Sequence, residues 1–94
     1  MPANDRMADG QDQPWFLYIV ECSDGSFYTG ITNDIERRKQ QHNDGTASRY
    51  TRSRRPVEVR YQENCGSRSQ ALIRECSVKL LSRKEKEGLV KKSK

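Results

Sequence analysis

The stretch SDGSFYTGITNDIERRKQQH, residues 23–42, begins as the turn and second strand of a hairpin and ends as a helix. Asp24 and Gly25 lie in a turn signal. FYTGIT (27–32) follows as a strand. Just upstream, WFLYIVEC (15–22) is a continuous apolar and aromatic run, too short for a good helix and rich in β-formers, so it is expected to be a central strand covered on both faces. Asn33 and Glu36 have the spacing of a capping box, and a helix is expected from there to about residue 43, ending at NDG. That helix has one apolar residue before its end, Ile35. At about 100° per residue, Arg38 falls about 60° and His42 about 20° from Ile35. If Ile35 docks on the sheet, the arginine and the chain's only histidine are carried to the same seam.

Further along, RYTRSRRP (49–56) has room for a short helical turn before Pro56. VEVRYQE (57–63) alternates Val57, Val59 and Tyr61 with polar residues, as a half-buried strand does. Ser67 with Gln70 opens a second helix to about residue 81, and Ser82 with Glu85 a third toward residue 90. Leu72, Ile73, Cys76 and Leu80 are expected to form the buried stripe of the second helix, with Glu75 and Lys79 along its edge. The order β-β-α-(α)-β-α-α, a hairpin joined to a third strand by a helix, points to an α+β fold. Residues 15–94 make one domain, and residues 1–14, polar and without periodicity, are expected to be a disordered tail.

The chain has 94 residues and a formal net charge of +5. The charge is unevenly spread: residues 37–60 hold eight bases against two acids, and residues 83–94 six against two. Such blocks suit a polyanionic partner, although a solvated basic face is the more common reading of a charge run. Within SRYTRSRR, Arg49, Arg52, Arg54 and Arg55 are placed to meet phosphates, and Tyr50 either stacks on an unpaired base or folds back on the domain. Cys22, Cys65 and Cys76 show no C-x-x-C spacing, which with one histidine disfavours a zinc site and favours free buried thiols. No apolar run approaches the roughly 20 residues of a membrane span. With no secretory pattern at the N-terminus, a cytoplasmic location is expected.

Tyr18 on the first strand, Tyr28 and Gly30 on the second, Arg38 and His42 on the helix and Glu75 on the next long helix complete the constellation. Two phenols, an arginine, a histidine and a carboxylate meeting at one seam suit phosphodiester hydrolysis: a base for water, a cation for phosphoryl charge and a carboxylate for a divalent metal. With LY at 17–18, YTG at 28–30, Arg38, His42 and Glu75 at these spacings, the chain resembles the GIY-YIG nuclease superfamily, and more closely its small stand-alone bacterial proteins. DGSFYTGIT, ERRKQQHNDG, RYTRSRRPVE and SVKLLSRKEKEGL carry the likeness over residues 15–90. Phe16 stands where the first motif usually has glycine, Thr29 where the second usually has isoleucine, and Ile31 where some relatives place lysine. The resemblance implies a small three-stranded antiparallel sheet flanked by helices, in agreement with that order, and metal-dependent cleavage of nucleic acid, with DNA as the expected partner and structure rather than sequence as the target. It makes Tyr18 a candidate general base and Tyr28 a group that orients water or phosphate. Arg38 would stabilise phosphate charge, His42 would assist proton transfer or hydrogen-bond a tyrosine, and Glu75 would ligate one Mg²⁺ or similar ion. Two alternatives stay open: a nucleic-acid-binding module of the same fold with weak or lost catalysis, and a subunit that relies on a protein partner for targeting.

Overall fold

A computed structural model describes residues 13–92, so the expected tail lies outside the described residues except for Gln13 and Pro14. The elements are β1 (Trp15–Glu21), β2 (Phe27–Thr32), α1 (Ile35–Asp44), α2 (Arg49–Arg52), β3 (Glu58–Gly66), α3 (Arg68–Lys79) and α4 (Arg83–Lys92). They form an α+β fold around a three-stranded antiparallel sheet of order β2-β1-β3. β1 is central because its run has apolar side chains for both faces: Leu17, Tyr18, Ile19 and Val20 are all buried. Tyr18, Val20 and Cys22 point to one face, where Ile35 of α1 packs beside Tyr28 and Val59. Leu17 and Ile19 point to the other and meet Val78 of α3, with Leu89 and Val90 of α4 at the margin. The sheet therefore lies between α1 and the α3–α4 pair. A register shift between Ile19 and Val20 lets Val59 join the first face and Tyr61 the second.

β3 runs on past residue 63, because Asn64 and Gly66 continue the pairing with Phe16 and Trp15. α1 is capped by Asp34 rather than Asn33. The Asp34 carboxylate accepts the Arg37 N–H at 3.0 Å, and Thr32 Oγ1 accepts the Asp34 N–H at 3.0 Å. A charged carboxylate at a helix N-terminus also gains from the helix dipole, an advantage asparagine lacks. At the other end Gly45 takes φ 83°, the left-handed cap that closes the helix. Ser67 caps α3 through the Gln70 N–H, and Ser82 and Glu85 form a reciprocal box on α4.

The buried stripe of α3 is not the expected one. Leu72 is 38% exposed, Ile73 63% and Leu80 86%, while Ala71 and Val78 are fully buried. Alanine and valine, seven residues apart, let the helix approach the sheet closely. Between them Arg74 reaches Glu63 on β3 with two bonds of 2.8 and 3.2 Å, and Glu75 pairs with Lys79 at 3.3 Å. The helix docks through small residues and polar ties, which leaves its more apolar side in solvent. The cysteines are free, but only Cys22 is buried; Cys65 is half-buried and Cys76 exposed. Among the described residues no helix is long and apolar enough to cross a membrane.

Candidate active site

Tyr18 and Gly30 face each other across β1 and β2. The Tyr18 ring lies over Gly30 so closely that a Cβ there would sit 2.5 Å from the phenol oxygen and 2.7 Å from Cζ. Glycine is required because the phenol passes over the edge strand at backbone distance. His42, 1% exposed at the end of α1, meets that phenol: its Nε2 is 2.9 Å from the Tyr18 hydroxyl. Its other nitrogen, Nδ1, is 2.8 Å from Oγ1 of Thr51, a fully buried residue of the one-turn helix α2. Ser48 caps that turn through the Thr51 N–H at 3.1 Å, and its Oγ lies 3.1 Å from Thr51 Oγ1. With the Thr51 proton directed to Ser48, Thr51 accepts from His42 Nδ1–H, which leaves Nε2 to accept the Tyr18 proton.

Burial, and then the Arg38 guanidinium nearby, hold His42 below its usual range, so it is neutral near pH 7. Burial pushes the Tyr18 phenol well up; the Tyr28 and Glu75 charges push the same way and Arg38 opposes them. α3 lies on the other face of the sheet from α1 but packs against β2, the edge strand carrying Tyr28 and Gly30, which sets the Glu75 carboxylate near enough for its charge to bear on Tyr18. The Tyr28 ring meets His42 edge-on at 5.3 Å. The structure thus brings Tyr18, Tyr28, Arg38, His42 and Glu75 around the β2 edge. Among the described residues, Arg38 Nε is buried with no hydrogen-bond partner. A buried guanidinium donor left open is a place for an anion.

In the basic segment the structure takes the second of the two expectations for Tyr50. Tyr50 is folded back, stacked on Tyr28 at 6.0 Å with the Arg54 guanidinium 3.9 Å over its ring. Arg54 also pairs with Asp24 at 3.0 Å and donates to the Tyr50 carbonyl, while Arg55 donates to the carbonyls of Arg52 and Asn43. Two of the four arginines therefore brace the loop after α1. Arg49 and Arg52 stay exposed, and Arg52 and Arg55 line a shallow depression of about 500 Å³ with Asn43 and Pro56. Sequence reasoning missed Thr51 and Ser48, whose only signal was a serine N-cap three residues before a threonine.

No group of three or more His, Cys, Asp or Glu side chains converges among the described residues, so a cation at this site would rest on Glu75. The Glu75 side chain is 19% exposed, partly open to solvent. A lone carboxylate fits Mg²⁺, which keeps several waters and takes further oxygens from a phosphate.

Residues 14–88 match the model of the GIY-YIG catalytic domain. A UPF0213 protein of Desulfotalea psychrophila is 54% identical over 84 residues, covering 87% of this chain and 76% of that protein. One of Halobacterium salinarum is 49% identical over 73 residues, covering 78% and 95%. The solution structure of a UPF0213 protein from Bacillus halodurans superposes with a TM-score of 0.54 at 42% identity, over 84% of each chain. That of an Enterococcus protein (E. faecalis) does so with 0.59 at 40% identity, over 86% of each. On a family match across most of its length, and on relatives this similar, the chain belongs to the GIY-YIG catalytic-domain family and is related to the UPF0213 proteins.

Proposed function

We propose that the protein hydrolyses nucleic-acid phosphodiester bonds with a divalent cation, acting on DNA by structure rather than sequence. The observation that carries this reading is the buried, unpartnered Nε of the half-buried Arg38 beside a hydrogen-bonded Tyr18–His42 pair. In this reading the scissile phosphate sits against Arg38, which stabilises the charge that grows on its oxygens. A phenol held this high stays protonated and cannot serve as a base on its own. It accepts a proton from water as its own proton passes to His42 Nε2, which lies 2.9 Å away and is kept free by the Thr51 bond. Tyr28, edge-on to His42, orients the water or the phosphate. Glu75 would hold the cation, which when bound supplies positive charge at the phosphoryl oxygens.

The test is incubation of the purified protein with branched, nicked and single-stranded DNA and RNA, with Mg²⁺ or Mn²⁺ and with chelator. Cleavage of a branched or unpaired DNA that chelator stops is expected. Binding without cutting supports the binding-module alternative instead. The exposed side of α3 favours the third reading, in which a protein partner supplies targeting: Leu72, Ile73 and Leu80 lie in solvent on a folded helix.

A further inference from the structure

A second feature lies on the same strand edge. Phe27, Tyr28 and Thr29 of β2, Tyr50 of α2, Lys79 of α3 and Lys86 of α4 line a cleft of about 260 Å³. Its charged lining is Lys79 and Lys86, and among the described residues no carboxylate lines it. Thr29 is 4% exposed, and its hydroxyl is buried with no partner among the described residues. A hydroxyl left so costs stability, and valine would fill the same space without that cost. Thr29 Oγ1 and Arg38 Nε are the two buried side-chain polar atoms found without a partner among the described residues. Tyr28 stands between their surroundings: it touches His42 on the Arg38 side and forms a wall of the cleft on the Thr29 side. Lys79 links the two places as well, since its Nζ is 3.3 Å from Glu75 and it lines the cleft.

We infer that this cleft is a second phosphate subsite. It takes the phosphodiester next to the scissile one in an unpaired nucleic-acid strand, with Lys79 and Lys86 meeting the phosphate and the Thr29 hydroxyl donating to it. The inference rests on the phosphodiesterase reading of the neighbouring site. Two anion positions on either side of one tyrosine suit a chain of regularly spaced phosphates, whereas a free phosphate fills only one. Binding pockets for whole drug-sized ligands begin near 300 Å³, so a cleft of this size suits a single nucleotide-sized group. Tyr50, 38% exposed, forms part of the wall, its ring held between Tyr28 and the Arg54 guanidinium.

The test is equilibrium binding of a fluorescent single-stranded decanucleotide in chelator over a series of salt concentrations. Each single-strand phosphate contact contributes about 0.7 to the slope of log affinity against log salt. Lys79→Ala with Lys86→Ala should lower that slope by about 0.7, the share of the one phosphate they meet, and the low-salt affinity at least tenfold. Lys79→Arg with Lys86→Arg should retain both, and melting curves establish that each variant is folded. Thr29→Val should melt higher than the unmodified protein yet bind several-fold more weakly. Inorganic phosphate should displace the strand far less effectively than a trinucleotide; equal displacement would mean a free-phosphate site and overturn the proposal. An unchanged slope in the double alanine variant overturns it, as does failure of the unmodified protein to bind. Binding in chelator does not depend on catalysis. A slope that falls in a protein that cuts nothing upholds the subsite and removes the hydrolase, and cleavage with an unchanged slope does the reverse.

Discussion

At the scale of single residues, the site turns on how two buried groups are held. His42 is fixed from both sides, by the Tyr18 phenol and by Thr51. Thr51→Val keeps the shape but leaves Nδ1–H buried and unanswered, at a cost of about 1–3 kcal/mol in denaturant unfolding. Since His42 is the only histidine, ¹⁵N shifts of its ring give one unambiguous signal. They should report a proton on Nδ1 in the unmodified protein and in Thr51→Ser, and a loss of that single state in Thr51→Val. Gly30→Ala should drive the Tyr18 ring off His42, costing about 1–3 kcal/mol and most of any cleavage, as read by melting and activity together. Arg38 and His42 were legible because helical geometry ties them to Ile35, and their partner Tyr18 lies on the most apolar run of the chain. Thr51 was not legible, because its contact arises from how the loop after α1 folds back, nine residues beyond His42.

At the scale of elements, packing followed size and polar ties more than hydropathy. The three strands, their order and the helices follow from run length, alternation and caps, and all appear in the fold. The face of α3 did not follow, because counting apolar residues favours Leu72, Ile73 and Leu80 over Ala71 and Val78, whereas close approach to Leu17 and Ile19 favours the smaller pair. The distinction is measurable. Val78→Ala should lower stability by about 2 kcal/mol, the loss of two buried methyl groups plus some cavity. Leu80→Ala should stay within about 0.5 kcal/mol. Similar losses from both would return the docking face to the apolar side. Tyr50 shows the same limit: a tyrosine in a basic segment has the pattern of a base-stacking residue, yet Tyr28 and Arg54 hold its ring against the domain.

At the scale of the whole molecule, a thin core is divided by the sheet into two small clusters, and the polar seam lies at the β2 edge. Stability should carry the mark of the buried histidine. His42 is held below its ordinary value of 6.5, so below about that pH the unfolded chain binds a proton that the fold refuses. Stability is therefore complete above that value and falls as pH drops toward the folded value. Arg38 disfavours the charged ring directly, and Tyr18 and Tyr28 flank it. Urea midpoints at about pH 7.5 and 5.5 should show this loss, and His42→Asn should remove it, since no other side chain ordinarily titrates in that window. The central claim is that Arg38 and Glu75 serve a phosphodiester reaction while the fold stands without them. It is tested most directly by single-turnover cleavage of the DNA the unmodified protein cuts, in Mg²⁺, alongside binding in chelator, for Glu75→Ala and Arg38→Ala. The account predicts that both variants remain folded, that Glu75→Ala loses metal-dependent cleavage, and that Arg38→Ala loses about 10²–10³-fold in rate. Binding should fall far less in each. Undiminished cleavage by folded Glu75→Ala would contradict it.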